Sequence, residues 1–147
     1  MKAKHSTAWI ASAQPRKQRK YRYNAPLHIK GKFLTAHVVK ELKLKHGVRS
    51  MRVRTGDKVR ILRGQYKNRE GKVDRVDVKN TRVYVAKIDF LKKDGATRVQ
   101  YPLHPSNLII VEFDTSDKRR NEKLKKASSK TSSKTSNTTD KTVGKQA

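Results

Sequence analysis

Cysteine is absent from this chain of 147 residues. That excludes a disulfide framework, a thiolate nucleophile and any cysteine-ligated zinc or iron–sulfur site. Acids are scarce, 12 Asp plus Glu against 38 Lys plus Arg, for a formal net charge of +26. A charge of that size opposes compaction unless a polyanion neutralises it. Aromatic residues make up 6% and apolar residues 33%, so the length fits one ordinary domain with appendages and excludes a large enzyme core. Apolar runs such as Leu108-Ile109-Ile110-Val111 fall far short of the ~20 residues of a membrane span. The basic N-terminus is not followed by the apolar core of a signal peptide. These absences predict a soluble intracellular protein.

The positive charge is unevenly spread. Residues 1–50 carry 13 Lys/Arg and one acid, Glu41, a net +12; residues 51–113 carry 15 and seven, a net +8; residues 114–147 carry ten and four, a net +6. Residues 1–24 are expected to be a basic arm, with Arg16, Lys17, Arg19, Lys20 and Arg22 interleaved with Tyr21 and Tyr23 and no acid nearby. Nothing local holds such an arm folded, so ordering on a partner is expected. Residues 114–147 form a basic tail rich in Lys, Ser and Thr, in which a turn or two of helix around Leu124 is possible and disorder is expected from about 123, because it has too little apolar surface to offset its ordering entropy.

Between arm and tail the hydrophobic period changes. Residues 25–50 read as two short helices. Asn24-Ala25-Pro26 has the form of a cap followed by proline in a first turn, and Thr35 looks like a second cap, before a stripe of Val38, Val39 and Leu42 that ends at Gly47. From 51 to 113 the pattern alternates. Val59 and Ile61, Val76 and Val78, Val83 and Val85, Val99 with Tyr101 and Leu103, and Leu108 with Ile110 predict five short strands separated by turn residues. This spacing suggests a small closed or rolled antiparallel sheet. The three-residue step from Val73 to Val76 predicts a bulge near Asp74.

Catalytic and metal chemistry find no support. The five histidines, His5, His28, His37, His46 and His104, never recur at i+3 or i+4, as a helical metal pair would require. Of the acids of 51–113, from Asp57 to Glu112, Asp57, Glu70, Asp74 and Asp94 lie directly beside Lys or Arg, which suggests solvated charge rather than a catalytic pair. Nucleic acid fits better. Lys and Arg gain affinity by displacing counterions condensed on phosphates, and a membrane-surface segment would need bulky apolar residues opposite its basic side, which the arm lacks. Tyrosines set between arginines favour RNA, whose unstacked bases lie against rings and guanidinium planes. No helix-turn-helix pattern points to DNA.

The stretch from Gly56-Asp57-Lys58-Val59 through Arg63-Gly64-Gln65-Tyr66-Lys67-Asn68-Arg69-Glu70-Gly71-Lys72-Val73 resembles a KOW motif. Asn68 stands where the usual pattern has glycine, and asparagine tolerates positive φ better than other side chains. Gly71 is expected to let the returning strand start at close quarters. Gln14-Pro15-Arg16-Lys17-Gln18-Arg19-Lys20, Asn24-Ala25-Pro26-Leu27-His28, Val39-Lys40-Glu41-Leu42, Val48-Arg49-Ser50-Met51-Arg52-Val53-Arg54 and Leu103-His104-Pro105-Ser106-Asn107-Leu108, in this order, resemble the archaeal and eukaryotic form of the universal large-subunit ribosomal protein family, L-twenty-four in archaea and L-twenty-six in eukaryotes. The resemblance spans about residues 6–122 and excludes the tail.

That resemblance implies a mainly β fold, an SH3-like KOW barrel over 51–113. It also implies direct binding to the 5′ region of large-subunit, 23S-type rRNA, an early role in subunit assembly and a cytoplasmic place in the large subunit near the exit-tunnel rim, beside other ribosomal proteins. No cofactor, small-molecule substrate or membrane partner is implied. The RNA contacts expected are Arg16, Lys17, Arg19, Lys20 and Arg22, with Tyr21 and Tyr23 either stacking on bases or packing on the barrel. They continue with Arg52, Arg54, Arg60, Arg63, Gly64, Tyr66, Lys67, Asn68, Arg69, Gly71 and Lys72 around the KOW loop, and His104, Ser106 and Asn107 in the last turn. Ser106 and Asn107 suit capping of their own turn equally well. Two other classes are a KOW-type transcription factor, expected to carry a further globular domain before its KOW, and an unspecific polycation.

Overall fold

A computed structural model describes residues 5–136, with side chains through 128. Eight strands and four α-helices follow one another: α1 (Pro15–Asn24), α2 (Leu27–Phe33), β1 (Thr35–Val38), α3 (Lys40–His46), β2 (Ser50–Arg52), β3 (Lys58–Ile61), β4 (Glu70–Asp77), β5 (Arg82–Val85), β6 (Asp89–Leu91), β7 (Arg98–Gln100), β8 (Leu108–Glu112) and α4 (Lys118–Ser136). Six strands pair in the order β2-β1-β8-β3-β4-β5, and β6 and β7 form a separate hairpin. Among the described strands only β1 and β8 run parallel. The sheet does not close into the barrel that the resemblance implies.

The period-two residues build the core. Val59, Ile61, Val83, Val85, Leu108 and Ile110 are all fully buried and pack with Leu34, Ala36, Val38, Val53 and Val73. The bulge expected near Asp74 is present, as a register shift between Val73 and Arg75 where β4 pairs with β5. The fourth expected strand is shorter: β7 ends at Gln100, and Leu103 joins the sheet by a single bridge to Val83.

Four expectations need correction. The second helix does not start at Ala36; Thr35–Val38 is a strand, because Ala36 and Val38 bury with period two between β2 and β8. The helix begins at Lys40 and stops at Gly47, whose φ of 64° matches the anticipated left-handed stop. The basic arm is helical. Pro15 opens α1, and Tyr21, 3% exposed, packs with Ala25, Ile29 and Phe33, its ring stacked 4.8 Å from that of His5. This small second core supplies the local anchor that composition conceals. The tail expected to be disordered from 123 is helical to Ser136, while residues 137–147 lie outside the described residues.

The fourth correction explains the third. Asp57, read as a solvated turn acid, is completely buried. Arg120 from α4 donates to both its oxygens, Nη1 to Oδ1 at 2.6 Å and Nη2 to Oδ2 at 2.8 Å. The backbone N–H groups of Arg54 and Asp114 donate to it at 2.9 Å each. Every carboxylate oxygen is thus partnered, as a buried charge requires. Roughly one turn further along α4, Leu124 is 4% exposed.

Removing one partner of a buried pair leaves an uncompensated charge. Arg120→Met is expected to lower the unfolding free energy by about 3 kcal/mol. Arg54→Met, which breaks the half-exposed pair with Asp117, should cost under about 1 kcal/mol. Urea denaturation followed by circular dichroism separates the two, and equal losses would show that the Asp57 pair does not anchor α4.

Candidate nucleic-acid interface

Ion pairing sorts the cations into two groups. Arg60 is held by Glu70 at 2.6 Å, Lys58 by Glu112 at 3.2 Å, Arg54 by Asp117 and Arg120 by Asp57. Among the described residues, Arg16, Lys17, Arg19, Lys20 and Arg22 of α1 enter no ion pair, nor do Arg63, Lys67, Arg69 and Lys72 around the β3–β4 loop. These residues are exposed, so their charge is available to an external anion. Arg52 is exposed on β2, whereas Arg54 and Arg60, expected to contact RNA, are already engaged within the protein.

Three residues singled out by sequence shape the β3–β4 loop and the start of β4. Asn68 adopts φ 66°, the left-handed conformation that asparagine tolerates, and its N–H donates to the carbonyl of Ile61 at 2.8 Å, closing the loop. A Cβ on Gly71 would lie 2.6 Å from Val85 Cγ1 and 3.0 Å from the carbonyl oxygen of Ala86. Glycine at 71 is therefore a packing requirement of the β4–β5 approach. Gly64 turns the loop with φ 95°.

Tyr66 plays a different part from the one expected. It is 8% exposed, its hydroxyl donates to the carbonyl of Asp89 at 2.8 Å, and its ring lies 5.2 Å from that of Tyr101. The Arg69 guanidinium sits 5.4 Å over the same ring. Tyr66 therefore braces the loop and gives Arg69 a platform, with no free face for a base. Tyr21 is likewise buried, within the α1–α2 cluster rather than on the sheet, and Tyr23 is the exposed member of the pair at 82%.

The turn before β8 joins the two halves of the face. The Asn107 carbonyl accepts from the N–H of Leu62, at the start of the β3–β4 loop, at 2.8 Å. His104 caps the turn: the Ser106 N–H donates to Nδ1 at 3.3 Å, with the Ser106 hydroxyl 2.8 Å from the same nitrogen. Nδ1 is thus the acceptor, and the ring proton sits on Nε2. Burial, then the charges of Arg82 and Arg22, pushes the imidazole pKa below its ordinary value and favours this neutral form. Ser106 spends its side chain on its own turn, one of the two roles its sequence position suits.

His104 also lines a cleft of about 380 Å³ where α1, α2 and the β4–β5 turn meet. Arg19, Arg22 and Tyr23 face it from α1, Lys30 and Phe33 from α2, and Lys79, Asn80 and Thr81 from the turn. The last five are not among the site residues expected from sequence. Lys79-Asn80 is recognisable there as a turn, but its proximity to α1 arises from the fold. No group of His, Cys, Asp and Glu suited to a metal occurs among the described residues, and none of their helices is long and apolar enough to cross a membrane.

Comparisons with known proteins show the family. Residues 12–127 match the family model of ribosomal proteins L26, eukaryotic, and L24, archaeal. The large ribosomal subunit protein uL24 of Methanocorpusculum labreanum is 50% identical over 117 residues, 80% of this chain and 96% of that protein. The protein of the same name from Nanoarchaeum equitans is 46% identical over 120 residues, 82% of this chain and 80% of its own length. On these matches the chain belongs to the eukaryotic L26 and archaeal L24 family of ribosomal proteins, a family of structural components and not of enzymes.

Proposed function

We propose that this protein is a structural constituent of the large ribosomal subunit that binds the 5′ region of large-subunit rRNA directly, acts early in subunit assembly and comes to lie near the rim of the peptide exit tunnel. The observation that carries the RNA-binding part is the sorting of charge. Arg54, Lys58, Arg60 and Arg120 are paired with Asp117, Glu112, Glu70 and Asp57, whereas the cations of α1 and of the β3–β4 loop stand exposed and none of them pairs with a carboxylate among the described residues. Exposed like charges repel, and a phosphate backbone relieves that repulsion while releasing its counterions. Family membership supports the place and timing in assembly, and neighbouring ribosomal proteins are the further partners of this reading. Within this reading the β3–β4 hairpin is the KOW element and the six-stranded sheet an SH3-like fold. Its site in the cell is the large subunit in the cytoplasm.

Sucrose-gradient fractionation after a high-salt wash is expected to recover the protein with the large subunit. Recovery only in polymerase or low-mass fractions would instead favour a transcription factor or an unspecific polycation.

Filter binding to a 5′-domain rRNA transcript at two salt concentrations tests the loop. Gly71→Val forces β4 and β5 apart and should weaken binding at least tenfold, since a misplaced loop loses several phosphate contacts together. Removing residues 127–147 spares Arg120 and Leu124 and should leave affinity nearly unchanged. Equal losses for the two variants would contradict the assignment of the loop.

A further inference from the structure

The cleft between α1, α2 and the β4–β5 turn differs in make-up from the rest of the basic face. Four cations line it, Arg19, Arg22, Lys30 and Lys79, and no lining residue is acidic. Such a concentration of one sign favours an anion between the walls. Phosphate alone would leave the aromatic part unexplained. Tyr23 lines the cleft with 82% of its surface exposed, and Phe33 lies under the Arg22 guanidinium at 5.7 Å. A tyrosine ring left in water beside cations suits a base, which always has a π face to offer and excludes water from both rings when it stacks.

Hydrogen-bonding edges complete the cleft. Asn80 donates its side-chain N–H to Asp77 Oδ2 at 2.7 Å, which orients the amide so that its oxygen remains an acceptor. Asp77 also accepts from the backbone N–H groups of Lys79 and Asn80 at 2.9 and 3.1 Å. These bonds, chiefly from Asn80, hold its pKa below the ordinary value, so the brace stays ionised. It keeps the turn in shape, with Thr81 at φ 55°. His104 contributes an Nε2–H donor without a charge. A volume of about 380 Å³ is at the low end of small-ligand sites; it admits a monomer and excludes a duplex.

We propose that this cleft receives a single unpaired nucleotide of the bound RNA, with its base stacked on Tyr23 and its phosphate among Arg19, Lys30 and Lys79. The proposal rests on the RNA-binding reading above and adds what that reading lacks, a point at which a base is touched. Phosphate contacts orient the protein but carry no sequence information. Asn80 and His104 are placed to read the edge of the stacked base.

The test uses the full chain and the 5′-domain transcript, with affinity measured over a series of salt concentrations. Stacking releases no counterions, so Tyr23→Ala should weaken binding about 5- to 100-fold with an unchanged slope of log affinity against log salt. Tyr23→Phe should restore most of the loss. Lys79→Ala should flatten the slope by roughly one contact. Tyr23 is exposed, so its replacement leaves the fold intact. Wild-type affinity in Tyr23→Ala would overturn the nucleotide cleft and leave RNA binding standing, as would a loss matched by Tyr23→Phe. Failure of the unmodified protein to bind the transcript more tightly than an unrelated RNA would overturn both. Nucleoside monophosphates added as competitors distinguish the sources of the same chemistry: no displacement at millimolar concentration is expected for a nucleotide held as part of a chain, and displacement at micromolar concentration would make the cleft a free-nucleotide site and overturn the proposal.

Discussion

The buried carboxylate of Asp57 ties together three parts of the chain. It satisfies the N–H of Arg54 at the entry to β3, the N–H of Asp114 just after β8, and the guanidinium of Arg120 in α4. A buried charge is tolerated only when its hydrogen bonds are complete, so each of these segments must be in place for the others to be stable. One side chain therefore couples the ends of the sheet to the C-terminal helix. That also explains how a helix with so few apolar residues stays docked: Leu124 alone buries little area, and the bidentate pair supplies the direction that hydrophobic contact lacks.

The same economy governs the rest of the charge. With 38 cations and 12 acids, the protein can neutralise only a minority internally, and the acids are spent where the framework needs them. Glu70 and Glu112 sit beside Lys58 and Arg60 on neighbouring strands, and Asp77 and Asp114 organise turns. Helix α1 and the β3–β4 loop receive none. The excess positive charge is thus a consequence of where carboxylates are committed, and part of it lies on elements joined through the turn at His104 and Asn107. Aromatic residues divide in the same way: Tyr21 and Tyr66 hold these elements in place, and Tyr23 is left facing solvent.

Much of this is legible in the order of the amino acids. Asn68 and Gly71 mark their loop because positive φ and close backbone approach are local demands that few residue types meet. The bulge after Val73 shows as a break in period two. Other features are hidden for equally physical reasons. Val38 and Ala36 suit a helix or a strand, and pairing with β2 and β8 decides between them. The arm looks unable to fold because the stabilising partners of Tyr21, His5 and Phe33, are separated from it in the chain and contribute one ring each.

The sequence by itself determined the sign of the partner, the exclusion of thiol chemistry, the alternation that builds the sheet, the KOW-like loop and the family resemblance, since all of these rest on composition or on neighbours a few residues apart. Tertiary structure decided which cations are free, which tyrosine is exposed, that the sheet stays open and that Asp57 meets Arg120 across 63 residues. Whether a charge is neutralised depends on what the folded chain brings within about 4 Å of it, and no reading of local pattern contains that distance.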